Sequence, residues 1–218
     1  MRRPDKISGV QLNRGTALTR AVALATSGHR AILGITGAPA AGKSTYADQL
    51  TADLVARGHQ VALVPMDGYH LAQAALESLG LAAVKGAPQT FDGYGFAALL
   101  KRLKEATDET IWAPRFDREL EDSIAASIAI PPEVSLVVTE GNYLLFDEAP
   151  WATGRALLDE CWYIDLDADV RHERLQARHM RYGRSAEEAR ARTYGSDEAN
   201  AWLIAATASA ADATLKLS

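Results

Sequence analysis

The apolar positions of the chain fall into two alternating patterns, short unbroken runs and longer stripes at helical spacing. Ala31 to Thr36 (AILGIT), Gln60 to Pro65 (QVALVP), Val134 to Thr139 (VSLVVT) and Cys161 to Ile164 are runs of strand length. Thr110 to Arg115 (TIWAPR) is a further, weaker strand. Residues 7 to 27 place Val10, Ala17, Leu18, Ala21, Val22, Leu24 and Ala25 at approximately helical spacing, which predicts a leading helix over 7–28 ending near Gly28. Ser44 to Arg57 reads as a second helix stopped by Gly58, and Ala168 to Tyr182 and Ser185 to Ser209 read as polar, Ala-rich and Arg-rich helices. Strands alternating with helices predict an α/β fold, a doubly wound parallel sheet with helices on both faces, in one domain over 1–218.

Composition narrows the partners. A chain of 218 residues with 48% hydrophobic content can bury a substantial core. Its net charge of -5 and pI near 5.6 argue against a nucleic-acid binder and leave a small molecule as the expected partner. Cys161 is the single cysteine, so no intramolecular disulfide is expected. No stretch approaches the roughly 18 apolar residues that span a bilayer, and the basic opening MRRPDK leads into no apolar signal region. No membrane insertion and a cytoplasmic location are therefore expected. A homodimer is the default assembly, since dimers are the commonest.

One run of residues carries specific chemistry. Gly37-Ala38-Pro39-Ala40-Ala41-Gly42-Lys43-Ser44 satisfies GxxxxGK[ST], with Thr45 following, between a predicted strand and a predicted helix. Gly37 and Gly42 permit backbone conformations that turn successive N–H groups toward an anion, and the helix start adds the positive end of its dipole. Lys43 can reach the β- and γ-phosphates of a nucleotide, and the Ser44 hydroxyl can ligate Mg²⁺. A glycine-rich turn beside a surface lysine is the alternative.

In an open α/β sheet the ligand crevice lies beyond the carboxyl ends of the strands. Asp67 follows QVALVPM and opens MDGYH, where it is either a general base toward an attacking hydroxyl or the first residue of an Asp-Gly turn. Glu140 ends VSLVVT and precedes Gly141, which favours a metal-side acid, holding Mg²⁺ directly or through water, over a solvated strand end. Asp92, in Thr90-Phe91-Asp92-Gly93, reads on its own as a loop residue.

Arg171, Arg174, Arg178 and Arg181 are spaced three, four and three apart, which on a helix gives one basic face, with Arg184 just past Gly183. Such a face can close over phosphates as arginine fingers do, or it is a solvated face partly neutralised by Glu173, Glu187 and Glu188. His172 and His179 read as surface residues.

The ordered set GAPAAGKST, MDGYHL, TFDGYGF, APRFDREL, TEGNYLL and the arginine-rich segment after YIDLDAD resembles the phosphoribulokinase, uridine kinase and bacterial type I pantothenate kinase group of P-loop kinases, over about residues 30 to 205. The pattern is most similar to a subgroup labelled fructose transport system kinase. The resemblance implies an NMP-kinase-like P-loop fold, ATP and Mg²⁺ as cofactors, and an Arg-rich helical lid over 168–205. By position it implies Asp67 as catalytic aspartate and Glu140 as metal-side glutamate. Asp92, Tyr69, His70, Phe116 and Arg118 would serve the acceptor pocket, Arg174 and Arg178 the lid, and Asn200 would be a late polar site residue. FDREL lacks the aromatic-His segment of a uracil pocket, and MDGYH stands nearer the pantothenate kinase pattern.

The expected activity is transfer of the γ-phosphoryl group of ATP to a hydroxyl of a small metabolite, with a sugar such as fructose as first candidate and pantothenate or a nucleoside as alternatives. A nucleotide-binding regulatory module with slow hydrolysis is the competing class. Against it, the chain has neither NKxD nor LSGGQ.

Overall fold

Six strands lie parallel in one sheet of order β1-β8-β7-β2-β6-β3 in the computed structural model, which describes residues 10–106 and 108–216. They are β1 (Val10–Leu12), β2 (Ala31–Thr36), β3 (Val61–Leu63), β6 (Leu136–Glu140), β7 (Glu160–Asp165) and β8 (Ala213–Lys216). A separate antiparallel hairpin joins β4 (Ile111–Asp117) to β5 (Asp122–Ile130). The crossovers carry α1 (Arg14–Ala25), α2 (Lys43–Ala56), α3 (Gln73–Ser78), α4 (Gly93–Glu105) and α5 (Trp151–Arg155), followed by α6 (Ala168–Arg181), α7 (Ala186–Arg192) and α8 (Glu198–Ala206).

Every residue of β2 and β6 is buried, as their unbroken apolar runs require. Successive residues point to opposite faces and therefore serve two cores. Leu33 and Ile35 of β2 join Leu136 and Val138 of β6 under Leu50 and Leu54 of α2 and the alanines of α1. Ile32 and Val137 face the other way, toward Phe96 and Leu100 of α4, Trp151 of α5 and Ile111 of the hairpin. The sheet is thus covered on both sides. Ile35 pairs with Glu140 in the register of β2 and β6, so the glycine loop and the strand-end acid emerge side by side at one edge.

Two expectations need correction. The leading helix begins at Arg14, not upstream, because the Asn13 side chain accepts from Thr16 N at 3.0 Å and Thr16 returns a hydroxyl to the Asn13 N–H, a closed cap. Val10 therefore lies in β1, paired with Ala213, and positions 7 to 9 of that expectation fall outside the described residues. Strands β5 and β8 were not anticipated. The first is mostly exposed and lacks a buried run, and the second is four residues long.

Candidate active site

The phosphate cradle is built by backbone. Gly37 has φ 154° and abuts Ile164, whose carbonyl oxygen would lie 2.9 Å from a Cβ at that position. Gly42 takes φ 95° as the N-cap of α2, and Ala40 also holds a positive φ of 62°, a strained state for alanine that persists where the surroundings over-determine it. Lys43 is buried, and its Nζ donates to Gly37 O at 3.0 Å and Ala38 O at 3.2 Å. Burial pulls the affinity of this ammonium for its proton down, while Glu140 and then Asp67 oppose that effect.

Beside the loop, Ser44 Oγ donates to Glu140 Oε1 at 2.9 Å. Glu140 is buried, which pushes its pKa up to about 7; the Asp67 carboxylate adds to this, and Lys43 with the Ser44 hydroxyl counteracts it. A hydroxyl next to a carboxylate offers the hard oxygen donors that Mg²⁺ takes. Among the described residues no three His, Cys, Asp or Glu side chains cluster to cage an ion by themselves. That donor set fits a Mg²⁺ held by one or two protein oxygens and completed by phosphates, and it does not fit an all-protein metal site.

Asp67 lies on a single 3₁₀ turn, Met66–Tyr69, which follows β3. Its position is imposed by close packing on both sides. A Cβ on Gly68 would sit 2.4 Å from Pro114 O of the hairpin, and one on Gly141 would meet Met66 at 2.6 Å. The Asp-Gly pair is therefore a contact with the hairpin as well as a turn. His70 Nδ1 donates to Asp67 O at 2.9 Å, and the ring lies between Phe91 and Phe116, with centroids 4.0 and 4.8 Å away.

The lid wall is held by side-chain pairs. Arg174 and Arg178 face the cleft, but Arg171 of the same helix is buried and pairs with Glu198, which also meets His172 Nε2 at 2.8 Å. The four arginines thus do not form one free face: Arg171 pairs with Glu198 rather than with Glu173, Glu187 or Glu188. His179 is buried too, with Nε2 at 2.6 Å from Asp197 Oδ2 and Nδ1 at 2.9 Å from Arg184 Nη1. Both histidines depart from the surface placement expected of them, because their α6 faces pack on the segment Thr193–Asp197. That segment is a π-helical turn, a feature often found at functional sites, and it brings Asp197 into the cleft wall.

These walls enclose one cleft of about 1570 Å³. Of the residues the sequence singled out, Pro39, Ala40, Gly42, Lys43, Ser44, Thr45, Asp67, His70, Phe116, Arg118, Glu140, Arg174, Arg178 and Asn200 line it. Gly37, Ala38 and Ala41 belong to the loop without lining the cleft. Tyr69 instead packs edge-on to Phe96, and Asp92 caps α4 by accepting from Gly95 N at 2.8 Å. Sequence reasoning missed Gln73, Lys85 and Asp197, which also line the cleft. No motif marks them, and only the folding of distant loops brings them there.

A parallel sheet ending in this loop, with a lysine and two acids converging on it, is the architecture of the P-loop kinases. Comparison with known proteins carries the assignment further. The chain is 33% identical over 189 residues to "Putative uridine kinase C227.14" of Schizosaccharomyces pombe, covering 83% of this chain and 80% of that one. It is 38% identical over 125 residues to the "ATP-dependent kinase-like protein notR'" of Aspergillus versicolor, covering 54% and 73%. The crystal structure of a "putative fructose transport system kinase" from Silicibacter sp. TM1040 superposes with a TM-score of 0.82 at 38% identity, over 91% of this chain and 97% of that one. The family described as methylmalonyl Co-A mutase-associated GTPase MeaB matches residues 10–71 only, the stretch holding the glycine loop. The chain belongs to the uridine kinase-like family of P-loop kinases.

Proposed function

We propose that the chain transfers the γ-phosphoryl group of ATP to a hydroxyl of a small metabolite, with Asp67 as the general base. The observation that carries this reading is the position of Asp67 in a single cleft. Its charge acts on Lys43 and Glu140 on the nucleotide side, and its turn is packed on the hairpin that supplies Phe116 and Arg118 on the other. A cleft of about 1570 Å³ accommodates a nucleotide and a second small molecule together.

Gly37 to Thr45 would hold the phosphates, with Lys43 exchanging its loop carbonyls for phosphate oxygens. Ser44 and Glu140 would hold Mg²⁺, which when bound neutralises charge on the phosphates. Asp67 accepts the proton of the acceptor hydroxyl, and Arg174 and Arg178 draw the lid over the phosphates. A sugar such as fructose is the first acceptor to try, on the strength of the Silicibacter relative's description. The test is ADP release with Mg-ATP across fructose, other sugars, pantothenate, nucleosides and sugar phosphates. Asp67→Asn should lower the rate with any true acceptor by roughly 10²- to 10⁴-fold. Nucleotide binding with no stimulation by any acceptor would turn the reading toward a regulatory nucleotide switch, the class to which the GTPase match over 10–71 points.

A further inference from the structure

The cleft carries more positive charge than a nucleotide needs. Its walls present eight Lys and Arg side chains against four carboxylates, a surplus of four, in a protein whose net charge is -5. Mg-ATP brings about two negative charges, so roughly two positive charges are left over. Two of the cations, Arg118 and Lys85, stand on the hairpin wall rather than on the phosphate loop or the lid.

Of these two, Arg118 is the more exposed. Its side chain is 51% exposed, and its one side-chain partner among the described residues is Asp67 Oδ2 at 3.5 Å, the outer limit of a hydrogen bond. Most of its five N–H donors are free for a planar anion. Arg118, Arg178 and Asp67 line the same cleft, and the Arg118 charge acts unfavourably on Arg178 while Asp67 acts favourably. An anion beside both arginines relieves that repulsion. Lys85 adds positive potential to the same wall. Its Nζ donates to Glu121 O at 2.8 Å and sits 5.5 Å from the centre of the Phe116 ring. The Glu121 carboxylate is 3.7 Å away and 63% exposed, so it neutralises Lys85 weakly.

The neighbouring groups accept hydroxyl protons. Because His70 Nδ1 donates to a carbonyl, its lone pair is on Nε2, and burial lowers the affinity of the ring for a second proton. Gln73 lines the same region with an amide. Acceptors for hydroxyls beside weakly paired cations suit a molecule that carries both hydroxyls and an acid group.

We propose that the phosphoryl acceptor is an anionic polyol, a hydroxy acid or a sugar phosphate, and that Arg118 receives its carboxylate or phosphate. The inference rests on the kinase reading above and goes beyond it, since fructose itself is neutral.

The test begins with protein saturated with Mg²⁺ and the imido analogue of ATP, so that the γ-phosphate position is filled. Inorganic phosphate and D-glycerate are then titrated in calorimetrically. Saturable binding weakened about fivefold or more by Arg118→Gln, and less by Lys85→Gln, is the expected result. Turnover is compared within matched pairs: glycerate and glycerol, gluconate and glucose, fructose 6-phosphate and fructose, pantothenate and pantothenol. The charged member should be favoured about tenfold or more in kcat/KM, and Arg118→Gln should erase that preference while KM for ATP holds. The sugar-phosphate and hydroxy-acid pairs separate the two sources of the anion. Loaded protein that binds no anion, or a neutral member turned over as well as its charged partner, overturns the inference. So does Arg118→Gln raising KM for ATP with the preference intact, because Arg118 would then serve the nucleotide. Failure to bind the ATP analogue at all defeats the kinase reading itself, a separate and visible outcome.

Discussion

The two walls of the cleft are built by different means. On the nucleotide wall the geometry is set by main chain: glycine conformations, a helix start, and the register that places Glu140 beside the end of β2. On the lid wall it is set by side chains reaching across long sequence gaps, with Arg171 and His172 meeting Glu198, and His179 meeting Asp197. A backbone-built wall is pre-organised before ligand arrives, whereas a wall held by ion pairs can repack. The first should therefore lose rate when damaged, and the second should lose affinity.

The sharpest way to break that contrast is at Lys43. Lys43→Met keeps the stem that fills the buried site and removes the charge, so the fold should persist. Steady-state ADP release should fall by roughly 10²- to 10³-fold, mostly in kcat, as when one pre-organised charge is taken from the transferring group. A loss confined to KM for ATP would mean that the lysine only anchors the nucleotide, and the two walls would then differ less than proposed.

Glu140 tests the same wall through pH. Its pKa lies above that of a carboxylate in the unfolded chain, raised to about 7 by burial and by Asp67. The folded protein therefore binds more protons than the unfolded one between about pH 4.5 and 7, and stability falls as pH rises through that window. Glu140→Gln removes the penalty. In urea unfolding without metal, the variant should gain about 3 kcal/mol on wild type at pH 8 and little near pH 4. An equal offset at both pH values would assign the effect to packing instead.

The same division explains what was legible in the sequence. The phosphate loop, Asp67 and Glu140 could be singled out, and the structure brings them together in one cleft, because the chemistry proposed for each needs particular residues at fixed spacing from a strand end. The strands β2, β6 and β7 could be read because burial on both faces leaves an unbroken apolar run, and β3 because its run is apolar although Val61 and Leu63 are only partly buried. The helices after β7 could be placed, but their pairing could not. Nothing at position 171 distinguishes an arginine buried against Glu198 from Arg174 facing the cleft three residues on. Asp92 shows the converse: an acid at a suggestive position whose carboxylate the fold also uses to cap α4. Local chemistry read from sequence cannot see which competing partner the fold supplies.

His179 is where the lid wall can be tested most finely. Arginine only donates, so the contact from Arg184 Nη1 places the lone pair of His179 on Nδ1, and Nε2–H then donates to Asp197. The neutral ring is a bridge with one donor and one acceptor, and it holds Arg184 at the edge of the cleft. Glutamine also offers one N–H and one C=O from a side chain of similar reach, whereas leucine fills the space and offers neither. His179→Leu should raise KM for ATP about tenfold with a smaller change in kcat, and His179→Gln should stay within about threefold of wild type. If leucine and glutamine behave alike, His179 serves as packing and Arg184 is held by something else. If leucine lowers kcat while KM is unchanged, this segment acts on the transferring phosphoryl group directly, and the lid is as pre-organised as the wall it faces.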